Sequence, residues 1–180
     1  MGKMIEKWQE GDIDAFETLF QQYKGLVYKN ALLLMENKEE AEDVLQEVFI
    51  SVWNARLLYD TEKGSIATWL RKITVNNCLN RKQKSKVLIT HDEEFLDNVT
   101  DSNTKSIEEE LIVKEEYTEM FQLIGALNFK HRTVIILRYF NDLSYKEIAD
   151  LLDIPIGTVR SRIYTALTLI KENTKISHKN

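Results

Sequence analysis

From Ala41 to Val52 the apolar residues Ala41, Val44, Leu45, Val48, Phe49 and Val52 recur at i, i+3, i+4, i+7, i+8 and i+11. At 3.6 residues per turn these positions make one stripe along a helix, and a strand cannot gather them on a single face. Asn37, with Glu40 three residues later, reads as a capping box that opens this helix. The same period runs through Ala15, Phe16, Leu19, Phe20, Tyr23, Leu26, Val27 and Ala31, which predicts a longer helix before it. One proline and six glycines among 180 residues are too few for the tight turns of an all-β chain. With 43% hydrophobic residues there is enough apolar surface for buried cores. The expected fold is all-α.

The period also divides the chain. Asp60, Thr61 and Gly64 mark a loop, and Ser65 caps a third helix running to about Lys84. Polar residues then take over to about Lys105, which predicts a flexible linker. Ser106 and Glu109 form another capping box, opening a helix that continues to about Leu127; Thr133, Val134, Ile136, Leu137 and Tyr139 lie on the next. The expectation is two small helical bundles, 1–86 and 106–180, joined by a linker at 87–105.

Charge follows the same division. From Asp92 to Glu119 eleven acids face two lysines, a net of −9, so the remaining residues carry +4 of the total of −5. Arg71 to Lys86 holds six basic residues and no acid, and the end from Gly157 holds five against Glu172 alone. Two basic modules flanking an acidic segment suit a polyanionic partner. Solvated helix faces carry such runs too, so charge alone leaves both readings open.

Other classes fall away. A single cysteine, Cys78, rules out a disulfide framework and a cysteine-based zinc site, and it shares an apolar face with Val75 and Leu79. His91, His131 and His178 are scattered, and Glu108, Glu109 and Glu110 have no ligand spacing. No enzymatic activity, metal or cofactor is expected. No run approaches 18 apolar residues and the start has no apolar signal core, so the expected location is cytoplasmic.

The most informative segment is 144–163. Ser144 and Glu147 form a capping box; Ile148, Leu151 and Leu152 supply a buried face; Ala149 is small enough to let a second helix pass closely. Asp153, Ile154 and Pro155 make the turn, with Asp tolerating the left-handed conformation and Pro suited to a helix start. Val159, Ile163 and Ala166 face inward, leaving Thr158, Arg160, Ser161, Tyr164 and Thr165 outside. This is a helix-turn-helix pattern, and arginine and hydroxyl groups at the front of its second helix suit reading of a major groove. A helical hairpin with a polar surface shares the pattern.

These residues together resemble bacterial RNA polymerase sigma factors of the extracytoplasmic-function (ECF) type, the members of the sigma-70 family that keep only regions 2 and 4. Glu42 to Phe49 with Trp53 is similar to region 2.2. Trp69 to Ile73, with Asn76, Asn80 and the basic run after them, is similar to regions 2.3 and 2.4, and Leu143 to Ala149 with Gly157 to Arg162 to region 4.2. The resemblance implies a subunit that binds core RNA polymerase, recognises −35 DNA with one module and melts −10 DNA with the other, with no cofactor and no small-molecule substrate.

Asp43, Gln46, Glu47 and Ile50 lie opposite the buried stripe and, by resemblance, dock on the clamp of the largest polymerase subunit. The segment 57–65 and the third helix would capture the −10 strand through Arg71, Lys72, Asn76, Asn77, Asn80, Arg81, Lys82 and Lys84. Thr158, Arg160, Ser161, Arg162, Tyr164 and Lys171 would meet −35 DNA, with Arg162 and Lys171 on phosphates. The family also implies contact with the polymerase flap and an anti-sigma partner. Two departures stand out. Thr165, Ala166 and Leu167 follow Tyr164 where relatives carry basic residues, and Asp153 stands where they often have glycine. The alternative function is an autonomous helix-turn-helix repressor that binds DNA as a dimer.

Overall fold

The computed structural model describes residues 2–89 and 115–177, with side chains at 2–83 and 120–174. Among the described residues every regular element is helical, and no helix is long and apolar enough to cross a membrane. The first bundle holds α1 (Gly2–Gln9), α2 (Ile13–Met35), α3 (Lys38–Asn54) and α4 (Ile66–Ile89). The second holds α5 (Glu115–Gly125), α6 (Phe129–Ile135), α7 (Tyr145–Leu152) and α8 (Ile156–Ser177).

Local chemistry sets the helix starts. Asp12 accepts from the Ala15 N–H at 2.9 Å, Asn37 from Glu40 at 2.9 Å and Ser65 from Thr68 at 3.2 Å, each satisfying a donor the helix leaves unpaired. Ser144 and Glu147 bond reciprocally, as their spacing predicts, and these bonds hold the Glu147 carboxyl below its usual range. The other anticipated box, Ser106 with Glu109, lies outside the described residues, as does most of the anticipated linker. Helix α4 runs on past Lys84 to Ile89, because its last turns contain no glycine or proline to stop it.

The stripe expected on α3 is buried, with Ala41, Val44, Val48 and Val52 fully inaccessible; it packs on Leu19, Val27 and Leu34 of α2 and on Leu70, Val75 and Cys78 of α4. Burial pushes the Cys78 thiol up to about 12, so it serves as packing. In the second bundle Val134, Leu137, Ile148, Val159, Ile163 and Ala166 form the core. The anticipated helix through Tyr139 is there, but Ile136–Phe140 widens into a π turn after α6.

Between α7 and α8, Asp153 takes φ 52° and ψ 50°, the left-handed conformation expected of it. An L-residue pays about 1 kcal/mol there and glycine does not. Asp153→Gly is therefore expected to leave the urea midpoint unchanged or raised, whereas Asp153→Ile should lower stability by about 1–2 kcal/mol.

The bundles also touch directly. Buried Asn30 of α2 accepts from Asn141 Nδ2 at 2.8 Å, and Asn141 Oδ1 accepts from Arg71 Nε of α4 at 2.7 Å. Arg132 of α6 donates to the Leu34 carbonyl of α2 at 3.1 Å and pairs with Glu36. A short helix outside the sequence reading, α1, completes the first bundle through Ile5 and Trp8, both buried.

Candidate nucleic-acid interface

The surface begins at the segment between α3 and α4. Gln9 Nε2 donates to the carbonyls of Tyr59 at 2.8 Å and Arg56 at 3.2 Å, and the Tyr59 hydroxyl donates to the Gly64 carbonyl at 3.1 Å. Trp8 lies edge-on to Trp69 with ring centroids 6.0 Å apart, and Tyr59 sits 5.3 Å from Trp69. This aromatic cluster fixes the segment's base while Leu57 and Leu58 stay 73% and 79% exposed at its tip. Trp69 is half-buried and packs against the core. Sequence reasoning missed Trp8 and Gln9 as the supports of this segment; Ile5 and Trp8, three apart, were the available signal, too short to stand out.

From that segment α4 runs outward. Lys72, Asn76 and Asn80 are exposed at i, i+4 and i+8, one polar stripe along the helix. A cleft of about 640 Å³ lies at its head, lined by Tyr59, Lys63, Trp69 and Lys72 on one side and by Glu147 and Asp150 of α7 on the other. The remaining residues singled out on α4 are already engaged. Arg71 is half-buried against Asn141, and Asn77 Nδ2 donates to the Ile73 carbonyl at 2.9 Å. Arg81 holds Glu47 and Asp43, and Lys82 lies 3.6 Å from Glu40. The Lys84 side chain lies outside the described residues.

On α3, Asp43, Gln46, Glu47 and Ile50 are all exposed and share one face, with Ile50 62% exposed.

The second bundle presents α8 beyond the turn. Arg160, Ser161, Tyr164 and Lys171 are exposed, Tyr164 by 74%, while Thr158 and Arg162 are half-buried. Pro155 closes the turn, its carbonyl accepting from Thr158 at 2.8 Å and Val159 at 3.2 Å. Ser161 Oγ donates to the Thr158 carbonyl at 3.0 Å, so its hydroxyl is turned along the helix.

These two surfaces coincide with known sequence families. Residues 19–87 match Sigma-70 region 2 and residues 118–170 match Sigma-70, region 4. The chain is 31% identical to the ECF RNA polymerase sigma factor SigW of Bacillus subtilis over 96% of both chains. The chain belongs to the ECF sigma factors of the sigma-70 family. It is also 34% identical to the ECF RNA polymerase sigma-E factor of Escherichia coli strain K12, over 91% of this chain and 88% of that one. The sigma factor RpoE of Bartonella quintana, solved in complex with the anti-sigma factor NepR, has the same fold, with a TM-score of 0.71 at 20% identity over 89% of this sigma factor and 97% of that chain. ECF sigma factors are transcription-initiation factors rather than enzymes, and this membership sets aside the repressor alternative.

Proposed function

We propose that this sigma factor divides promoter recognition between its bundles, with the first docking on core RNA polymerase and melting −10 DNA and the second reading −35 DNA. As an ECF sigma factor it directs promoter-specific initiation. The observation that carries the division of labour is the α4 stripe of Lys72, Asn76 and Asn80, which starts at a pocketed segment with exposed Leu57 and Leu58. Such a stripe can follow a single strand's backbone while the segment holds an unstacked base, whose extrusion costs a few kcal/mol. The face of Asp43, Gln46, Glu47 and Ile50 is the polymerase-docking surface, meeting the largest subunit's clamp, and α8 enters the major groove with Arg160 foremost and reaches the flap from its module. The work is cytoplasmic, and an anti-sigma factor is the expected regulator.

Run-off transcription tests the whole reading. Core polymerase with this chain, offered fragmented host DNA, should give transcript starts that share two short upstream elements and are absent with core alone. No new starts and no core binding would overturn it. Within that assay Arg160→Ala should cost about 1–3 kcal/mol and relax preference at one −35 position, as loss of a bidentate base contact does. Lys171→Ala should weaken all promoters alike and reduce the salt slope by about one. A promoter library transcribed by each variant at several salt concentrations separates the two.

A further inference from the structure

Arg81 lies on the helix assigned to DNA, but its guanidinium faces the helix assigned to polymerase. Its Nε and Nη2 donate to the two carboxylate oxygens of Glu47 at 3.2 and 2.6 Å, and Nη1 donates to Asp43 Oδ2 at 3.2 Å. This is a two-pronged fork, the strongest form of arginine–carboxylate pairing, and it uses both oxygens of Glu47. Its side chain is 27% exposed, against 60% for Asp43 and 46% for Glu47. The docking face is therefore partly neutralised from within by a cation borrowed from the neighbouring helix.

We propose that Arg81 is an exchange residue that couples polymerase docking to DNA binding. The inference rests on the reading of the α3 face as the docking surface for a basic element of the polymerase. A cation arriving at Glu47 competes with Arg81 for the same two oxygens, and in this exchange docking displaces the guanidinium. Asn80, beside Arg81 in sequence, belongs to the exposed α4 stripe, and a freed arginine is long enough to add its charge there. Docking thus supplies α4 with one more cation for DNA, and by linkage DNA on α4 favours docking by the same factor. The stripe residues Lys72, Asn76 and Asn80 contact DNA in either state; Arg81 does so only after exchange.

The test uses the full chain, core polymerase and a single-stranded oligonucleotide carrying the −10 element mapped by run-off. Arg81→Gln is expected to tighten core binding about threefold, because docking no longer breaks an existing ion pair. It should change oligonucleotide binding by the free chain less than twofold, yet lower the salt slope of the holoenzyme by about 0.7, one single-strand contact. In the free chain Glu47→Gln should raise oligonucleotide affinity about threefold, and Glu47→Gln in an Arg81→Gln background should do so less, so the two effects do not add. Core binding that is unchanged or weakened by Arg81→Gln overturns the exchange, as does strict additivity of the pair. A chain that binds core but no −10 oligonucleotide removes the DNA role of α4, and with it the exchange, even where Arg81→Gln tightens core binding.

Discussion

Arg132→Met is expected to destabilise the protein by about 3–5 kcal/mol, because it removes a buried guanidinium from several backbone carbonyls and from the half-exposed Glu36. Arg132 is 7% exposed, and its donors are spread over four carbonyls. It reaches Ile124 at 3.3 Å, Leu127 at 2.8 Å and Gly125 at the end of α5, and Leu34 at 3.1 Å near the end of α2. It also pairs with Glu36, which ends α2 in a left-handed conformation at φ 59°. One side chain therefore terminates two helices that belong to different bundles. Methionine keeps an unbranched stem of arginine's kind and offers no donor, leaving those carbonyls without partners and Glu36 without its cation. Urea unfolding followed by a probe in each bundle should show both transitions shifted to lower midpoints. A loss below 1 kcal/mol would mean that water replaces the guanidinium at the seam.

Trp8→Ala carries a comparable cost, about 3–5 kcal/mol, set by the cavity that a buried tryptophan leaves. Trp8 is completely inaccessible and lies 6.0 Å from both Tyr59 and Trp69, measured between ring centroids. Its loss should be confined to the first bundle's transition, in contrast to Arg132→Met. The same substitution should loosen the 57–65 segment, which leans on this cluster, so binding of a −10 oligonucleotide should fall even at temperatures where the helices remain formed. Circular dichroism alongside oligonucleotide titration checks both parts. Retained −10 binding in a destabilised variant would mean the segment holds its shape without α1.

What the sequence made legible was local. The Ser144–Glu147 box, the left-handed turn at Asp153, the buried α3 stripe and the inert Cys78 each depend on residues within a turn or two of one another, where spacing translates directly into geometry. That Asp43, Gln46, Glu47 and Ile50 share one exposed face was legible for the same reason, as the complement of that stripe. What stayed hidden depends on distant partners. Basic residues of α4 read as one groove, but Arg71 bonds to a residue 70 positions away and Arg81 to one 34 positions away. Asn141 carried no signal at all, since its role is to meet Asn30 across 111 positions. A basic run shows only that cations are present; the fold decides which of them are already taken.

The contact between the bundles also acts as a ruler. Positions −35 and −10 are separated by about 85 Å of B-form DNA at 3.4 Å per base pair. A compact body the size of the described part, roughly 150 residues, has a radius of gyration of about 15 Å. With Asn30 on Asn141 and Arg132 on Leu34, the proposed α4 and α8 reading faces are held within a span far shorter than the promoter they address. On the proposed assignment of the two faces, engaging both elements at once would require those bonds to part. The affinity measured for a whole promoter is then the intrinsic affinity scaled by the fraction of molecules already extended. Substitutions at the seam that leave both reading faces untouched change that fraction, and with it the strength of every promoter by a common factor.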